Sequence, residues 1–299
     1  MINQELFDPT TPVAIQGITG KEGARMARWL IGSGVNVIGG VTPGKSGQEV
    51  EGKPVFDSVA ALKERFPQVT TTSIVAPSGR VLGAVKEALE AGMTLVHILT
   101  EQIPVHDVLA MKNLAEKKGA TILGPSSIGY LQFPAFRLGY LGGENPFMIL
   151  KEGGFGIIST SGGMTNELMM SLSRNDIGIR TAMALGGDRV VGTTLEEAIR
   201  WTEALPEVSS LAVFIEPGRP LLNQLIDGSF MFKKPTVIFL AGEALDDLPK
   251  GLPYGHTGTV LGEDEMSIKE IRQKIQARGI SCVGTMSHFI LACKKICLK

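Results

Sequence analysis

The chain has 299 residues, 43% of them hydrophobic, a length that predicts about two domains of roughly 150 residues each. Its formal net charge of −1 gives no bulk attraction to nucleic acid or to a membrane surface, so any anion must bind at a local site. The N-terminus lacks a basic stretch followed by an apolar core, and no apolar run is long enough to span a bilayer. We therefore expect a cytoplasmic protein with no nucleic-acid or membrane partner.

Apolar strands alternate with helical stretches along the chain, which predicts an α/β fold built on parallel sheets. Five strands are expected near 12–16, 35–39, 72–76, 94–99 and 120–123, and five more near 155–159, 180–185, 210–216, 235–241 and 280–284. A Gly- and Pro-rich segment, poor in strands, separates the two sets and is predicted to act as a linker. The expected organisation is a first domain at 1–125, a linker at 126–153 and a second domain at 154–299.

The first predicted strand runs into a glycine-rich turn at 17–23 and then into a helix, as in a Rossmann-type nucleotide-binding unit. The GxxGxxG spacing alone also fits an ordinary tight turn. A NAD site would place Asp or Glu about 20 residues further on, at the end of the second strand. Here that strand leads into Thr42, Pro43, Gly44 and Lys45. A lysine suits a phosphorylated ribose, as in coenzyme A or NADP.

A second loop, at 156–167, runs from an apolar strand into a helix and has the composition of an anion site. Ser159, Ser161 and Thr165 supply hydroxyl groups, and Gly162 and Gly163 leave the backbone accessible. The following helix directs its unpaired N–H groups toward the loop, which favours a phosphate or a carboxylate. A helix cap without a ligand is the alternative.

A histidine lies between glycines in the segment Tyr254–Thr259, shortly after an apolar strand. His256 is nucleophilic near neutral pH, and Gly255 and Gly258 allow backbone N–H groups to approach a bound anion. We interpret it as a phosphohistidine. A core or surface histidine beside a loop is the alternative interpretation.

These loops, in this order, resemble the α subunit of succinyl-CoA synthetase and the same module of ATP-citrate lyase and citryl-CoA synthetase. The motifs that carry the resemblance are GITGKEG at 17–23, GGVTPGK at 39–45, TEQIP at 100–104, GP at 124–125, STSGGMTNE at 159–167, GGD at 186–188, Glu216 and GHTG at 255–258. The resemblance covers nearly the whole chain. It implies an N-terminal Rossmann-type CoA-binding domain followed by a flavodoxin-like ligase domain that carries the phosphohistidine.

The resemblance also implies residue roles. The CoA nucleotide is expected on Gly17, Thr19, Gly20, Lys21 and Glu22, its phosphates beside Thr42, Pro43, Gly44 and Lys45, and its adenine near Ala76, Pro77 and Glu101. Ser159, Ser161, Gly162, Gly163 and Thr165 are expected around the phosphate. Glu216 is expected to orient His256, since a carboxylate on one ring nitrogen fixes the tautomer; a solvated strand end is its alternative. No metal ligands are predicted.

The implied activity is that of an acid–CoA ligase that acts through a phosphohistidine and an acyl phosphate. The two expected domains leave no length for an ATP-grasp domain. A β-type ATP-grasp partner is therefore expected, which would supply ATP or GTP with Mg. Two other classes stay open, a non-catalytic CoA-binding paralogue and an NADP-dependent oxidoreductase, although the second gives His256 no role.

Several positions depart from the family pattern and bear on the acid. The SGGMTNEL and GGDR segments favour the citrate-using branch, whereas its arginine between the two serines is Thr160 here, and its Asn-Thr pair is Tyr140-Leu141. The glutamate loop reads Glu216-Pro-Gly-Arg219 in place of Glu-Ile-Gly-Gly, and the family's Asn-Cys is Ser126-Ser127. We expect succinate or a similar small acid. Arg137, Arg189 and Arg219 could replace the missing cation, although solvated surface positions are the simpler expectation.

Overall fold

A computed structural model describes residues 10–134, 136–247 and 266–298. The first half contains β1 (Val13–Gln16), α1 (Lys21–Gly32), β2 (Val37–Val41), β3 (Glu49–Val50), β4 (Lys53–Phe56), α2 (Val59–Arg65), β5 (Thr71–Ile74), α3 (Ser78–Glu90), β6 (Leu95–Ile98), α4 (Val105–Lys118) and β7 (Thr121–Leu123). The second half contains β8 (Gly129–Gln132), β9 (Phe136–Gly139), α5 (Pro146–Ile149), β10 (Glu152–Ser159), α6 (Gly162–Arg174), β11 (Ile179–Ala184), α7 (Leu195–Ala204), β12 (Ser210–Ile215), α8 (Pro220–Asp227), β13 (Thr236–Leu240), the 3-10 helix Glu243–Asp247, α9 (Ile268–Ala277), β14 (Ser281–Val283) and α10 (Met286–Cys297).

The first sheet has the strand order β3-β4-β2-β1-β5-β6-β7, and all of its pairs are parallel except β3 with β4. Without the short β3, this is the order 3-2-1-4-5-6 of a Rossmann domain. Helices cover both faces, which explains why β1, β5 and β6 are buried at every residue. The strand order reverses between β1 and β5, so a ligand is expected beyond their carboxyl ends.

The second sheet has the order β14-β13-β12-β10-β11-β8-β9. Strands β10 to β14 are parallel and follow the flavodoxin-like order 2-1-3-4-5, with the reversal between β10 and β12. The predicted fold class is thus confirmed for both domains.

The segment 126–153, expected to be a strand-poor linker, contributes two short strands to the second sheet. It forms β8 and β9, an antiparallel pair that extends the second sheet beside β11. Its glycines serve close packing of the two strands: a Cβ atom on Gly129 would lie 1.9 Å from the carbonyl oxygen of Leu138, and one on Gly139 would lie 2.3 Å from that of Ile128. The glycine content therefore reflects a tight pair of strands.

Arg137 is fully buried, contrary to the expected surface position. It donates to the backbone carbonyl oxygens of Trp29 (2.5 Å), Leu141 (3.2 Å) and Glu144 (3.1 Å), and also to that of Gly143. Burial lowers the pKa of Arg137 to about 10. The bond to Trp29 joins β9 to the end of α1, so this arginine holds the two domains together and cannot serve a substrate.

A second buried link between the domains passes through His97. Its Nδ1 atom lies 3.0 Å from the hydroxyl of Ser73, and its Nε2 atom lies 2.9 Å from the carbonyl oxygen of Ser127. The Ser127 hydroxyl in turn donates to the carbonyl oxygen of Ala184 in β11, at 2.5 Å. His97 has no exposed surface and is a packed residue of β6.

We predict that His97 makes the fold acid-sensitive. Burial lowers the pKa of His97 from 6.5 to about 4, while its bond to Ser127 acts in the opposite direction. The unfolded chain binds this proton below pH 6.5 and the folded chain does not until about pH 4, so stability is lost as the pH falls through that window. Urea unfolding at pH 7 and pH 5 should show a loss of about 2 kcal/mol that His97→Gln lacks. An equal pH dependence in both proteins would exclude this role.

The three cysteines are free thiols. Cys282 and Cys293 are buried in the core and Cys297 is exposed, and burial raises the pKa of Cys282 to about 12. The described ranges contain no group of three His, Cys, Asp or Glu residues that could hold a metal ion. The helices within those ranges also include none with the length and apolar character needed to cross a membrane.

Candidate functional site

A cleft of about 490 Å³ lies at the carboxyl ends of β1, β5 and β6, where the strand order of the first sheet reverses. Its wall combines the N-terminus of α1, the residues after β5 and β6, and Ile128 from the second domain. Six of the predicted nucleotide-binding residues line it: Gly20, Lys21, Glu22, Ala76, Pro77 and Glu101. The N-terminal N–H groups of α1 make this edge favourable for an anion.

Gly17 determines the conformation of the turn between β1 and α1, beside this cleft. It has a φ of +86°, and its N–H donates to the carbonyl oxygen of Val41 at 2.7 Å. A Cβ atom here would lie 2.1 Å from the carbonyl oxygen of Val75, so the turn can pass β5 only if residue 17 is glycine. The structure thus gives Gly17 a conformational role at the edge of the predicted nucleotide site.

The loop Thr42–Ser46 is exposed beside the cleft and is fixed at both ends. The N–H of Thr19 donates to the hydroxyl of Thr42 at 3.4 Å, which joins this loop to the glycine-rich turn. Asp57 Oδ1 accepts from the N–H groups of Lys45 and Ser46, both at 3.0 Å. Asp57 occupies these two backbone donors, and the exposed Lys45 side chain is a cation that this loop can offer to a phosphate. Sequence reasoning missed Asp57, which follows the short strand β4.

Glu22 lines the cleft but is engaged elsewhere. Its carboxylate forms an ion pair with Arg25, and the Tyr140 hydroxyl donates to its carbonyl oxygen at 2.5 Å. Tyr140 also packs edge-on against Trp29, and Arg25 lies 4.8 Å from the centre of its ring. Tyr140 therefore links the second domain to α1. In the sequence, Tyr140 was notable only as a departure from the family's Asn-Thr pair.

A second cleft, of about 500 Å³, lies between the loops that follow β10 and β11 and the segment between β6 and α4. Ser161, Gly162 and Gly163 line it, and Ser161 caps α6 by accepting from the N–H of Met164 at 3.5 Å. Ser159 and Thr165 have no exposed surface, and both hydroxyls donate to the carbonyl oxygen of Ser161, at 2.8 and 2.6 Å. They shape the loop, whereas Ser161 and the two glycines face the open space.

Glu216 follows β12 directly across from this loop. It is only 8% exposed, which excludes the solvated strand end. Its Oε2 atom lies 3.3 Å from the hydroxyl of Thr160 and 3.7 Å from Nη2 of Arg219. Arg219 also donates to the carbonyl oxygens of Gly187 and Asp188, both at 2.9 Å. Burial lowers the pKa of Arg219, while Glu216 acts in the opposite direction. The expected surface position of Arg219 is thus wrong, because its partners are backbone atoms that a sequence pattern does not show.

His256 lies outside the described residues, which stop at Asp247 and resume at Met266. Leu240, at the end of β13, pairs with Ile215, so the chain leaves the sheet beside Glu216. Hydrogen bonds join the two sides of the gap. Asp246, before it, accepts from the N–H groups of Ile268 and Lys269, after it, at 2.7 and 3.0 Å. Both flanks of the histidine segment are therefore held together at the edge that carries Glu216.

The two clefts share Glu101 and Ile128, so they are adjacent. A Cβ atom on Gly162 would lie 2.9 Å from the side chain of Ile128, so the N-terminus of α6 packs against a residue that lines both clefts. The fold and these two clefts define a two-domain α/β protein in which the cleft at the reversal point of the first sheet lies next to the N-terminus of α6.

Comparison with known proteins identifies the family. A family model described as CoA binding domain matches residues 8–102. The α subunit 2 of the ADP-forming succinate–CoA ligase of Archaeoglobus fulgidus is 34% identical over 273 residues, 89% of this chain and 91% of that protein. A subunit of the ADP-forming sulfoacetate–CoA ligase of Bilophila wadsworthia is 31% identical over 272 residues, 89% of this chain and 90% of that protein. The chain belongs to the family of acid–CoA ligase α subunits that includes those of succinate–CoA ligase.

A solved structure agrees with the fold. ATP citrate lyase from Methanothrix soehngenii, in complex with citrate and coenzyme A, superposes with a TM-score of 0.85 at 21% identity. The match covers 97% of this chain and 50% of that one, so the chain spans half the length of this enzyme.

Proposed function

We propose that this chain is the α-type subunit of a nucleotide-dependent acid–CoA ligase that acts through a phosphohistidine and an acyl phosphate. The observation that supports this best is the adjacency of the two clefts at Glu101 and Ile128. In the proposed reaction, a phosphoryl group moves from a nucleotide on a β-type ATP-grasp partner to His256 and then to a carboxylate, and the CoA thiol displaces phosphate to form the thioester. The ATP or GTP and its Mg belong to that partner.

The first cleft suits the nucleotide part of CoA. The N-terminus of α1 offers N–H groups to a diphosphate, and the wall at Ala76 and Pro77 is open to a planar base. Lys45 is exposed, and its ammonium group has no partner within the described residues, so it is available to the ribose phosphate.

In the second cleft, Ser161, Gly162 and Gly163 would hold the transferring phosphate at the N-terminus of α6. Glu216 would orient the imidazole of His256 by accepting from one ring nitrogen. Thr160 and Arg219 keep the Glu216 carboxylate in one position, because both bond to its Oε2 atom. Fixed geometry of this kind limits the reorganisation needed during transfer.

If Lys45 binds the ribose phosphate of CoA, removal of its charge should weaken CoA binding. Lys45→Ala should weaken CoA binding by about 1.5–3 kcal/mol, the value of a hydrogen bond to a charged group, and dephospho-CoA should bind the two proteins equally. Calorimetry on the full chain measures both. The control is Lys53→Ala, in β4 and also outside the cleft. NADPH binding without CoA binding would support the oxidoreductase alternative.

The activity itself is tested with the native complex. The complex purified through a tag on this chain should release phosphate only when nucleotide, acid and CoA are all present. We expect succinate to give a higher kcat/KM than citrate, because Arg137 and Arg219 are both engaged by backbone carbonyl oxygens and cannot also bind a third carboxylate. A clear preference for citrate would assign the chain to the citrate-using branch, and no release with any acid would favour a non-catalytic paralogue.

A further inference from the structure

Glu22 places a negative charge beside the first cleft. It lies in the first turn of α1 and lines the cleft together with Gly20 and Lys21. The proposed ligand of this helix N-terminus is the diphosphate of CoA, which is itself an anion. An unpaired carboxylate at this position would repel the phosphate groups and would compete with them for the positive end of the helix. The charge of Glu22 therefore opposes the binding of an anionic nucleotide unless a cation offsets it.

Arg25 supplies that cation. It lies one turn further along α1, and its guanidinium forms an ion pair with the carboxylate of Glu22. The described residues that line the cleft do not include Arg25. Both side chains are about half-exposed, at 47% and 45%, and an exposed pair of this kind contributes little to the stability of a fold. Its effect is therefore expected on a charged ligand bound next to it.

Two aromatic rings hold Arg25 in place. Its guanidinium carbon lies 4.8 Å from the centre of the Tyr140 ring and 5.6 Å from that of Trp29. The two rings pack edge-on, with centres 5.2 Å apart. The Tyr140 hydroxyl also lies 3.4 Å from Oε2 of Glu22. Because both partners are held by other groups, this ion pair loses less side-chain freedom than an isolated surface pair does.

We propose that Arg25 is a positioning residue for CoA: it keeps the Glu22 carboxylate paired, so that the first cleft accepts the phosphate groups of the cofactor. This inference rests on the proposed function, in which the CoA nucleotide binds at the N-terminus of α1. Glu22 then acts as a charge that must be neutralised, in place of the direct CoA contact expected from the sequence. Tyr140 extends this arrangement to the second domain, because it supports both members of the pair.

A double-mutant cycle on the full chain tests the proposal, with CoA affinity measured by calorimetry. Arg25→Gln should weaken CoA binding about fivefold, the effect of one unpaired charge near the ligand. Glu22→Gln should raise the affinity by less than about twofold while Arg25 is present and about fivefold in the Arg25→Gln protein. Arg25→Lys keeps the charge and should retain most of the affinity. The control is Arg28→Gln, which removes an arginine of the same helix that pairs with Glu51 outside the cleft.

An equal effect of Glu22→Gln in both backgrounds would overturn the proposal, because the two charges would then act independently. A lower CoA affinity in Glu22→Gln would also overturn it and would identify Glu22 as a direct contact. So would a loss in Arg25→Gln that Glu22→Gln does not restore, or the absence of CoA binding to the unsubstituted chain. Failure of the proposed function gives a different result: the native complex forms no thioester, although the cycle on CoA binding still shows the coupling.

Discussion

Gly17→Ala is expected to weaken CoA binding strongly while the chain remains folded. The residue has a φ of +86°, where an L side chain costs about 1–2 kcal/mol, and its new Cβ atom would lie 2.1 Å from the carbonyl oxygen of Val75. The backbone must therefore move. This backbone forms the turn that leads into α1, and the N–H of Gly17 donates to the carbonyl oxygen of Val41. We expect CoA affinity on the full chain to fall on the order of 100-fold, equal to about 3 kcal/mol, as measured by calorimetry.

Gly83→Ala provides the matched control. Gly83 lies inside α3, and a Cβ atom there would meet no atom within 4 Å. This substitution should leave CoA binding unchanged and stabilise the fold by about 0.5–1 kcal/mol, because alanine loses less backbone entropy in a helix. Unchanged CoA binding in Gly17→Ala would place the nucleotide elsewhere in the molecule.

Much of the fold could be predicted because strands, turns and helices leave their patterns in short, continuous stretches of sequence. Apolar strands that end at glycine-rich turns and continue into helices indicate parallel sheets, and the structure has them at the expected positions. The glycine at 17 was identifiable because tight turns before a helix need a residue that accepts positive φ. The two strands at 129–132 and 136–139 were missed because their glycines allow close packing between strands, which resembles a linker in composition.

The sequence indicates which loops line the clefts, but it does not show which hydroxyl groups of those loops face the open space. Ser161 and the glycines after it line the second cleft, whereas Ser159 and Thr165 are buried behind it. The alternation of exposed and buried hydroxyls in this loop depends on tertiary contacts. Asp57 and Arg219 were missed or misplaced for a similar reason, since both bond to backbone atoms of loops distant in sequence.

His256→Ala is expected to remove phosphoryl transfer completely, because no other imidazole is predicted in the second site. His97 is fully buried between the domains, and His106 is an exposed residue at the start of α4. His288 lies in the first turn of α10, which follows the strand at the far edge of the second sheet. His288→Ala is the matched control and should keep full activity in the phosphate-release assay.

The most direct test of the phosphohistidine is to incubate the native complex with γ-labelled nucleotide and analyse the label on this chain. The unsubstituted chain should acquire label that is lost in acid and stable in base, as expected for a phosphoramidate, and the label should disappear when acid and CoA are added. His256→Ala should acquire none, and His288→Ala should acquire the normal amount. Label that persists in His256→Ala, or an unsubstituted chain that never becomes labelled in an active complex, would contradict transfer through His256.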